Sequence, residues 1–278
     1  MDHNQQKHLQ VEPRKYEQFL REKDFAENSI ISYAYAVRVF MERYGAPNRT
    51  NLSAYRSYLI ENYKPATVNL RILSINKYLN ATGLGKLQLK FIKLPRESFL
   101  DRVISKEDYL RFKRSLRKEA DQRWYFIVWF LAATGARISE LTRFKVEHVR
   151  TGYVDLYSKG GRMRRLYFPE TLQSEAIQWL EKEERQEGYL FLNSRGTPLT
   201  PRGISFRLKI YAKKFEIDPD LVHPHAFRHL FAKSFLQKNN NIALLADLLG
   251  HSSIETTRIY LQQSSREQGK LMNRLVDW

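Results

Sequence analysis

Apolar residues recur at intervals of three and four through the first third of this 278-residue chain, and this spacing restricts that part to packed α-helices. Gly and Pro interrupt the pattern at Tyr44–Pro47 and at Lys64–Pro65, where we expect connections between helices. The pattern predicts a four- or five-helix unit that ends near Leu84. The residues that share the helical spacing are Tyr16, Phe19, Leu20, Ile30, Tyr33, Val37, Phe40, Leu52, Tyr55, Leu59, Val68, Leu70, Ile72, Leu73 and Tyr78.

The rest of the chain combines helical patterns with one region of period two. Two runs that alternate apolar and polar residues flank Gly160 and Gly161, which predicts a β-hairpin. We therefore predict a mainly α chain: an N-terminal helical bundle, and a mixed α+β domain that is mostly helical with a small antiparallel sheet. The elements predicted in this second domain are helices Ser105–Lys118 and Arg123–Thr134, strands Gly152–Tyr157 and Arg165–Phe168, a helix around Leu172–Arg185, a short strand Tyr189–Leu192, and helices from there to the C-terminus.

The change of pattern also predicts the domain boundaries. Residues 10–90 form the helical bundle and residues 105–278 the second domain. Helical spacing is lost after Leu87, and residues 91–104 mix apolar and basic side chains with one Pro. We interpret residues 91–104 as an extended linker.

Basic side chains outnumber acidic ones by 47 to 30, which gives a formal net charge of +17. Both parts of the chain are basic, at +7 over residues 1–95 and +10 over residues 96–278. This distribution suits a protein that contacts one nucleic acid from two sides. Charge alone leaves open the alternative of a basic protein without a polyanionic partner.

The chain contains no cysteine, which excludes disulfides, thiolate metal sites and cysteine nucleophiles. The first ten residues are polar, and the longest apolar run, Phe126–Ala133, is too short to span a bilayer. We therefore predict a cytoplasmic protein without a membrane partner.

Three histidines and an arginine fall within the stretch HPHAFRH, residues 223–229. His225 and His229 share a helix face with the spacing that a zinc helix uses. His225 and Arg228 also share a face, which suits a phosphate. The charge of Arg228 and the lack of a Glu between the histidines count against a metal. Spacing leaves three interpretations: a phosphate site, a metal site, or unrelated polar side chains.

The motif TGARISEL follows the most hydrophobic predicted helix, and its glycine is typical of a helix C-cap. Arg137 would then lie at a junction between two packed elements. Its guanidinium is either fixed for a ligand or simply paired with Glu140, and the sequence does not choose.

The hairpin tip SKGGR carries Lys159, which could reach a ligand. Arg162 is the alternative donor at this tip. Because turns are commonly basic and exposed, this signal is weak by itself.

The stretch LLGHSSIETTRIY carries His251 and Tyr260 nine residues apart, and an unbroken helix would place them on opposite faces. Ser252 followed by Glu255 forms a capping box, which predicts a new helix start between them. With this break, His251 lies just before a helix and Tyr260 about two turns along it. Tyr260 is one of 16 tyrosines, and a single tyrosine on an amphipathic helix is more often a core residue than a catalytic one.

These motifs, each weak alone, occur in an order that resembles the tyrosine recombinase (phage integrase) family. The ordered set is TGARISEL, the hairpin lysine, HAFRH, LLGH and a tyrosine nine residues after that histidine. The resemblance extends over residues 105–262 and is to the short, two-domain, Xer-like type. The N-terminal helices are similar in kind to the SAM-like core-binding domain of that family.

The resemblance implies a phosphate site. Arg137 and Arg228 would bind the non-bridging oxygens of a DNA phosphate in the transition state, and His251 would donate a further hydrogen bond. Glu140 matches an acidic residue that supports the first arginine. Ala246 departs from the family, where Gln is frequent, and we expect this to affect packing rather than chemistry.

The resemblance also implies the attacking and proton-transferring groups. Tyr260 would attack the phosphodiester and form a 3′-phosphotyrosyl bond. His225 would accept the phenolic proton, and Lys159 would protonate the leaving 5′-oxygen. Because the bond energy is kept and cationic side chains stabilise the phosphate, we expect no ATP, metal or other cofactor.

The implied partner is double-stranded DNA, held between two basic domains. We expect no separate arm-binding domain, because only about ten residues precede the first predicted helix. An apolar stripe in the tail predicts a C-terminal helix that docks on a neighbouring subunit, in a homotetramer on two DNA sites, with a possible accessory DNA-bending protein. The stripe consists of Leu271, Met272, Leu275, Val276 and Trp278.

Two other functions fit parts of the same sequence. A topoisomerase-like enzyme would use the same tyrosine chemistry to relax one duplex. A non-catalytic DNA-binding architectural protein would keep the fold without the chemistry. The predicted tail argues against the first, and the presence of every catalytic side chain argues against the second.

Overall fold

The computed structural model describes residues 13–94, 103–157, 163–251, 253–261, 272, 273 and 276. The chain divides into two compact units, Met1–Arg96 and Glu97–Trp278. The described residues are mainly helical and contain one two-stranded antiparallel sheet, which confirms the predicted fold class. Within these residues, no helix is both long and apolar enough to cross a membrane.

Residues 13–94 of the first unit contain four α-helices around one core. They are α1 (Pro13–Glu22), α2 (Glu27–Tyr44), α3 (Arg49–Asn62) and α4 (Pro65–Ala81). Tyr16, Tyr55 and Tyr78 are almost fully buried in this core, as the helical spacing predicts. Pro65 fits at the first position of α4, where a helix needs no amide donor.

An extended segment follows α4 and is fixed to it by two asparagines. After a 3₁₀ turn, Gly85–Leu87, the side chain of Asn76 binds both the N–H and the C=O of Leu89, at 2.8 and 2.9 Å. Asn69, two turns earlier on α4, binds the N–H and the C=O of Ile92 in the same way, both at 2.9 Å. The side-chain amides replace the partner that an isolated extended chain lacks. The first residues of the predicted linker are thus held against the bundle, and residues 95–102 lie outside the described part.

The second unit begins with α5 (Lys106–Arg117) and the buried α6 (Arg123–Thr134), as predicted. Ser105 caps α5 by accepting a hydrogen bond from the Asp108 amide at 3.0 Å. Gly135 ends α6 with φ of +63°, and a Cβ there would come within 2.6 Å of the Phe231 ring. Only glycine satisfies both the left-handed backbone and this close contact.

The sheet is the predicted hairpin. Strand β1 (Tyr153–Tyr157) pairs antiparallel with β2 (Met163–Tyr167), and Val154 faces Leu166 on the buried side. The predicted strand Tyr189–Leu192 was wrong. These residues form only isolated bridges, Lys145 to Tyr189 and Leu192 to Pro198, because no neighbouring strand continues the ladder.

Further helices follow α6 in the described residues. They are α7 (Ile138–Leu141), α8 (Val146–Thr151), α9 (Glu170–Lys182), α10 (Pro201–Lys214), α11 (Pro224–Lys238), α12 (Ile242–Leu249) and α13 (Ile254–Arg258), followed by a 3₁₀ turn, Ile259–Leu261. α11 packs along α6, so residues near the start of α11 lie close to the C-terminal end of α6.

We predict that each asparagine of α4 protects one amide of the extended segment. Asn76→Ala removes the acceptor of the Leu89 N–H, so the exchange of this amide should accelerate by about 10-fold or more, the effect of losing one buried hydrogen bond. The Ile92 amide should be less affected. Asn69→Ala should show the reverse, and hydrogen exchange measured by NMR or mass spectrometry separates the two. Equal acceleration of both amides in both variants would contradict independent binding.

Candidate active site

Three consecutive carbonyl groups at the C-terminal end of α12 organise the candidate site. The last carbonyls of a helix have no partner within it and lie at its negative end, where cations are favoured. Each of these carbonyls binds a different arginine. The hydrogen bonds are Arg164 Nη1 to Leu248 O at 2.7 Å, Arg228 Nη2 to Leu249 O at 2.7 Å, and Arg137 Nη2 to Gly250 O at 3.3 Å.

Arg228, from α11, is the most deeply buried of the three, with 3% of its surface exposed. Besides Leu249, it donates to the carbonyl of Gly135 at 2.5 Å. One guanidinium therefore joins the C-terminal ends of α6 and α12. Burial, together with the positive charge of Arg137, lowers the pKa of Arg228 to about 10, so it stays protonated at neutral pH.

Arg137 lies directly before α7 and is held by Glu140. The Glu140 carboxylate accepts from the Arg137 backbone N–H at 2.6 Å and from Arg137 Nη1 at 3.0 Å. About a third of the arginine side chain remains exposed, at 36%. The ion pair with Glu140 is therefore present, and it fixes the guanidinium without covering it, while a role of Arg137 toward a ligand stays a prediction.

Arg164, on β2, completes the support of Glu140. It donates to the second oxygen of Glu140 at 2.6 Å, and only 8% of its side chain is exposed. Its side chain also packs against Gly250, where an added Cβ would come within 2.7 Å of Arg164 Cδ. The hairpin is thus connected through Arg164 to both Glu140 and the end of α12.

His251 follows α12 in a Schellman turn. Gly250 has φ of +63°, its N–H binds Asp247 O, and the His251 N–H binds Ala246 O at 3.0 Å. The imidazole is bonded on both sides, with Nε2 3.0 Å from Arg228 Nη2 and Nδ1 2.8 Å from Thr257 Oγ1. Burial and the charges of Arg228 and Arg137 lower the pKa of His251 to about 4.

The helix break predicted between His251 and Tyr260 is present, with a different cap. Ser253, rather than Ser252, precedes α13, and its side chain accepts from the Glu255 N–H at 3.2 Å. Ser252 itself lies outside the described residues. The prediction of a capping box that starts at Ser252 is therefore wrong, because the N-cap lies one residue later. The helix break itself falls between His251 and Tyr260, as predicted.

Tyr260 lies on the 3₁₀ turn after α13 and is 6% exposed. Its ring is parallel to that of His251, with centroids 6.1 Å apart, and contacts the edge of His229 at 5.1 Å. The turn is packed against α11. The break thus returns Tyr260 to the His251 side of the site, as the sequence argument expected.

The two histidines at the start of α11 have different surroundings. His225 is accessible to solvent. Partial desolvation of its ring, together with the charges of Arg228 and Arg137, nevertheless lowers its pKa. His229 is partly buried, its Nδ1 has no hydrogen-bond partner in the described part of the chain, and burial with the neighbouring His225 lowers its pKa to about 4. No three His, Asp or Glu side chains among the described residues are grouped as metal ligands would be.

Two predicted features fall outside the described residues. Lys159 and its alternative Arg162 lie in the segment 158–162 at the hairpin tip. Of the tail stripe, only Met272 and Val276 are described, and they are 55% and 41% exposed. The roles predicted for the hairpin tip and for the tail stay predictions.

The described cluster carries three guanidinium groups and one carboxylate, that of Glu140. Backbone carbonyl groups hold the arginines in place, and burial together with the like charges lowers the pKa of Arg228. An anion that entered would relieve this repulsion and would meet guanidinium groups that carbonyl groups and Glu140 already hold in position. Arg137, Arg228 and His251 therefore form a positively charged cluster next to the Tyr260 ring, and their predicted roles toward a phosphate stay predictions.

Sequence reasoning missed Arg164 and Thr257. Arg164 has a signal in hindsight, because in β2 it shares the inward face with Leu166, where a charged residue is unexpected. Thr257 is three residues before Tyr260 on the same helical segment, and a threonine at that spacing carries no chemical signal without the fold.

The chain resembles known recombinases over most of its length. The model of the phage integrase family matches residues 102–267. Tyrosine recombinase XerA of Pyrococcus furiosus is 28% identical over 266 residues, which cover 90% of this chain and 91% of that protein. Tyrosine recombinase XerD of Vibrio cholerae is also 28% identical, over 92% of this chain and 94% of that protein.

Solved structures show the same fold at lower sequence identity. A lambda integrase (75–356) dimer bound to a COC′ core site superposes with a TM-score of 0.71 at 17% identity, covering 91% of this chain and 95% of that one. XerH site-specific recombinase bound to difH substrate, in a pre-cleavage complex, gives a TM-score of 0.69 at 19% identity, covering 96% and 85%.

We predict that Arg164 stabilises the second unit. Arg164→Met would remove the side-chain donor of the Leu248 carbonyl and would leave Glu140 Oε2 with only the Arg137 backbone N–H, so it should lower the free energy of unfolding by about 3 kcal/mol. All four tryptophans lie in residues 97–278, so tryptophan fluorescence in a denaturant titration reports on this unit alone. Arg165→Met is the matched control, because the neighbouring pair with Asp155 is more accessible to solvent and should contribute less. Similar losses in both variants would contradict this role.

We predict that the stability of this unit falls as the pH drops from about 7 toward 4. Histidines of the unfolded chain have a pKa of about 6.5, whereas those of His229 and His251 are lowered to about 4 in the fold, so the unfolded state binds more protons between these values. His229→Phe keeps the ring contact with Tyr260 and should reduce the pH slope by up to ~1.4 kcal/mol per pH unit. Denaturant titrations at several pH values measure this slope, and an unchanged slope would contradict the prediction.

Proposed function

This chain belongs to the phage integrase family, the tyrosine recombinases, and on that basis we propose that it is a site-specific recombinase that cuts and rejoins double-stranded DNA through Tyr260. The supporting observation is the assembly of Arg137, Arg228, His251 and Tyr260 in one site, although they come from four separate segments of the chain. A structural role alone does not require three arginines around one helix end beside a tyrosine.

The proposed reaction is a transesterification. The phenolic oxygen of Tyr260 attacks the phosphorus atom, the bond from phosphorus to the 5′-oxygen breaks, and a 3′-phosphotyrosyl bond forms. The phenolic proton passes to His225, which is exposed and neutral at physiological pH because its pKa is lowered. Lys159 supplies a proton to the leaving 5′-oxygen. Attack by a 5′-hydroxyl of another strand reverses the step and rejoins DNA without ATP.

The arginines would stabilise the transition state. The five-coordinate phosphorus carries negative charge on its non-bridging oxygens, and N–H groups of Arg137 and Arg228 that are not bound to carbonyls can donate to them. Their positions are fixed before substrate arrives, by Glu140 and by the carbonyls of Gly135 and Leu249. Because these cations supply the required charge, we propose that no metal ion takes part.

The position of Tyr260 suggests a step that precedes attack. With 6% of its surface exposed, Tyr260 is packed between two histidines. We propose that DNA binding draws the 3₁₀ turn, Ile259–Leu261, toward the phosphate, so that the nucleophile reacts only in the complex. The burial of Tyr260 would thus prevent its hydroxyl from reacting before DNA is bound.

The basic charge of both units supports DNA as the partner, and so do the DNA-bound recombinases that share the fold. Residues 10–90 and 105–278 would act as the core-binding and catalytic domains. The exposed Met272 and Val276 fit a tail that docks on a neighbouring subunit in a homotetramer on two DNA sites. An accessory DNA-bending protein is compatible with this arrangement and is not required by it.

Covalent trapping tests the proposal. The purified protein is incubated with DNA that flanks its own gene, in EDTA, then quenched in denaturant, and protein-linked DNA is sequenced. We expect adducts with the wild type and none with Tyr260→Phe, which keeps the ring contacts and lacks the nucleophile. Tight, salt-sensitive binding by both proteins without any adduct would instead support the architectural DNA-binding protein. Adducts accompanied by relaxation of supercoils and never by recombinant junctions would support the topoisomerase-like enzyme.

A further inference from the structure

The hydrogen bonds of His251 define which ring nitrogen carries its proton. Nε2 lies 3.0 Å from Arg228 Nη2, and a guanidinium has only donors, so Nε2 must accept. The proton of the neutral imidazole is therefore on Nδ1. Nδ1 lies 2.8 Å from Thr257 Oγ1, so in the DNA-free protein the N–H donates to the threonine hydroxyl.

This tautomer is the wrong one for the proposed reaction. In the proposed function, His251 donates a hydrogen bond to the phosphate, and Nε2 is the nitrogen beside Arg228. A lone pair on Nε2 would repel the phosphate oxygen instead. Nor is a second proton available at neutral pH in the free protein, since burial and the arginines lower the pKa of His251 to about 4.

We propose that Thr257 is a positioning residue that lets His251 exchange its tautomer when a DNA phosphate enters, an inference that rests on the proposed function. A phosphate draws the Arg228 N–H away from Nε2. One proton then leaves Nδ1 for solvent water and one from solvent water joins Nε2, so the imidazole stays neutral and the solvent neither gains nor loses a proton. The Thr257 hydroxyl rotates and changes from acceptor to donor toward Nδ1, while Nε2–H donates to the phosphate.

Thr257 has the properties that this exchange requires. It is fully buried, so its hydroxyl stays against Nδ1 rather than turning to bulk water. A hydroxyl can both donate and accept, unlike a carboxylate or a backbone carbonyl, which would fix the Nδ1–H form permanently. Thr257 and Tyr260 are one turn apart, on α13 and the 3₁₀ turn that follows it, so the partner of His251 is directly connected to the segment that carries the nucleophile.

The chain offers a matched set of variants. Thr257→Val keeps the shape and removes the hydroxyl, Thr257→Ser keeps the hydroxyl, and Thr256→Val makes the same change at the exposed neighbouring position. The rate of single-turnover adduct formation is measured on the DNA site that covalent trapping identifies. We expect Thr257→Val to lower this rate by about 10- to 100-fold, since a catalytic donor is misplaced, and the other two to stay within about 3-fold of wild type.

A double variant separates positioning from simple stability. If Thr257 acts through His251, then Thr257→Val should add little to His251→Gln, because the group that it orients is already gone. A full additional loss in the double variant would overturn the proposal in favour of a structural role. So would equal losses in the Val and Ser variants at residue 257. Tryptophan fluorescence in denaturant verifies that each variant is folded.

The tautomers themselves are visible by NMR. In full-length protein labelled with [¹⁵N]histidine, two-bond ¹H–¹⁵N correlations distinguish Nδ1–H, Nε2–H and the doubly protonated ring, and His251→Gln assigns the signal. We expect Nδ1–H in the free protein, and Nε2–H in Tyr260→Phe bound to a duplex half-site. A doubly protonated ring in the complex, or Nε2–H in the free protein, would overturn the proposed tautomer exchange of His251. Because the free-protein spectrum needs no DNA, an absence of wild-type adducts would refute the proposed function separately from this tautomer assignment.

Discussion

The arrangement of this site depends on the unpaired carbonyls at the end of one short helix. α12 ends in a Schellman turn at Gly250, which leaves the carbonyls of Leu248, Leu249 and Gly250 directed away from the helix. Each binds an arginine from a different element: β2, α11, and the residue before α7. Guanidinium groups are costly to bury, and the negative end of a helix offsets part of that cost. One helix end thus fixes the relative positions of residues that are far apart in the chain.

The same contacts leave the site charged and ready for an anion. Glu140 balances part of the positive charge, and it is shared by Arg137 and Arg164, so neither arginine can move without disturbing the other. His251 leaves the same turn and is held between Arg228 and Thr257. An entering phosphate therefore competes for hydrogen bonds that already exist. The rigid part of the network supplies electrostatic stabilisation, and the part that includes hydroxyl and imidazole protons can rearrange.

Much of this could be predicted from the sequence, and the errors are informative. Gly135 ends a helix as expected, and α6 has the predicted bounds, because a long apolar run followed by glycine is a strong local signal. The strand predicted at Tyr189–Leu192 was wrong because a strand requires a partner, which local alternation does not reveal. The cap at Ser253 instead of Ser252 shows a similar limit, since either serine can accept a helical amide and packing selects one.

The sequence by itself determined the helical class, the hairpin, the break between His251 and Tyr260, and the order of motifs that indicates the family. These follow from short-range periodicity, turn residues and residue types at fixed spacings. Only the tertiary structure decided that Arg164 supports Glu140, that His229 contacts Tyr260 and that Thr257 binds His251. Such contacts join residues whose separation or chemistry carries no periodic signal. They arise when buried polar groups must find partners in the packed chain, and that requirement acts on the whole fold rather than on any one segment.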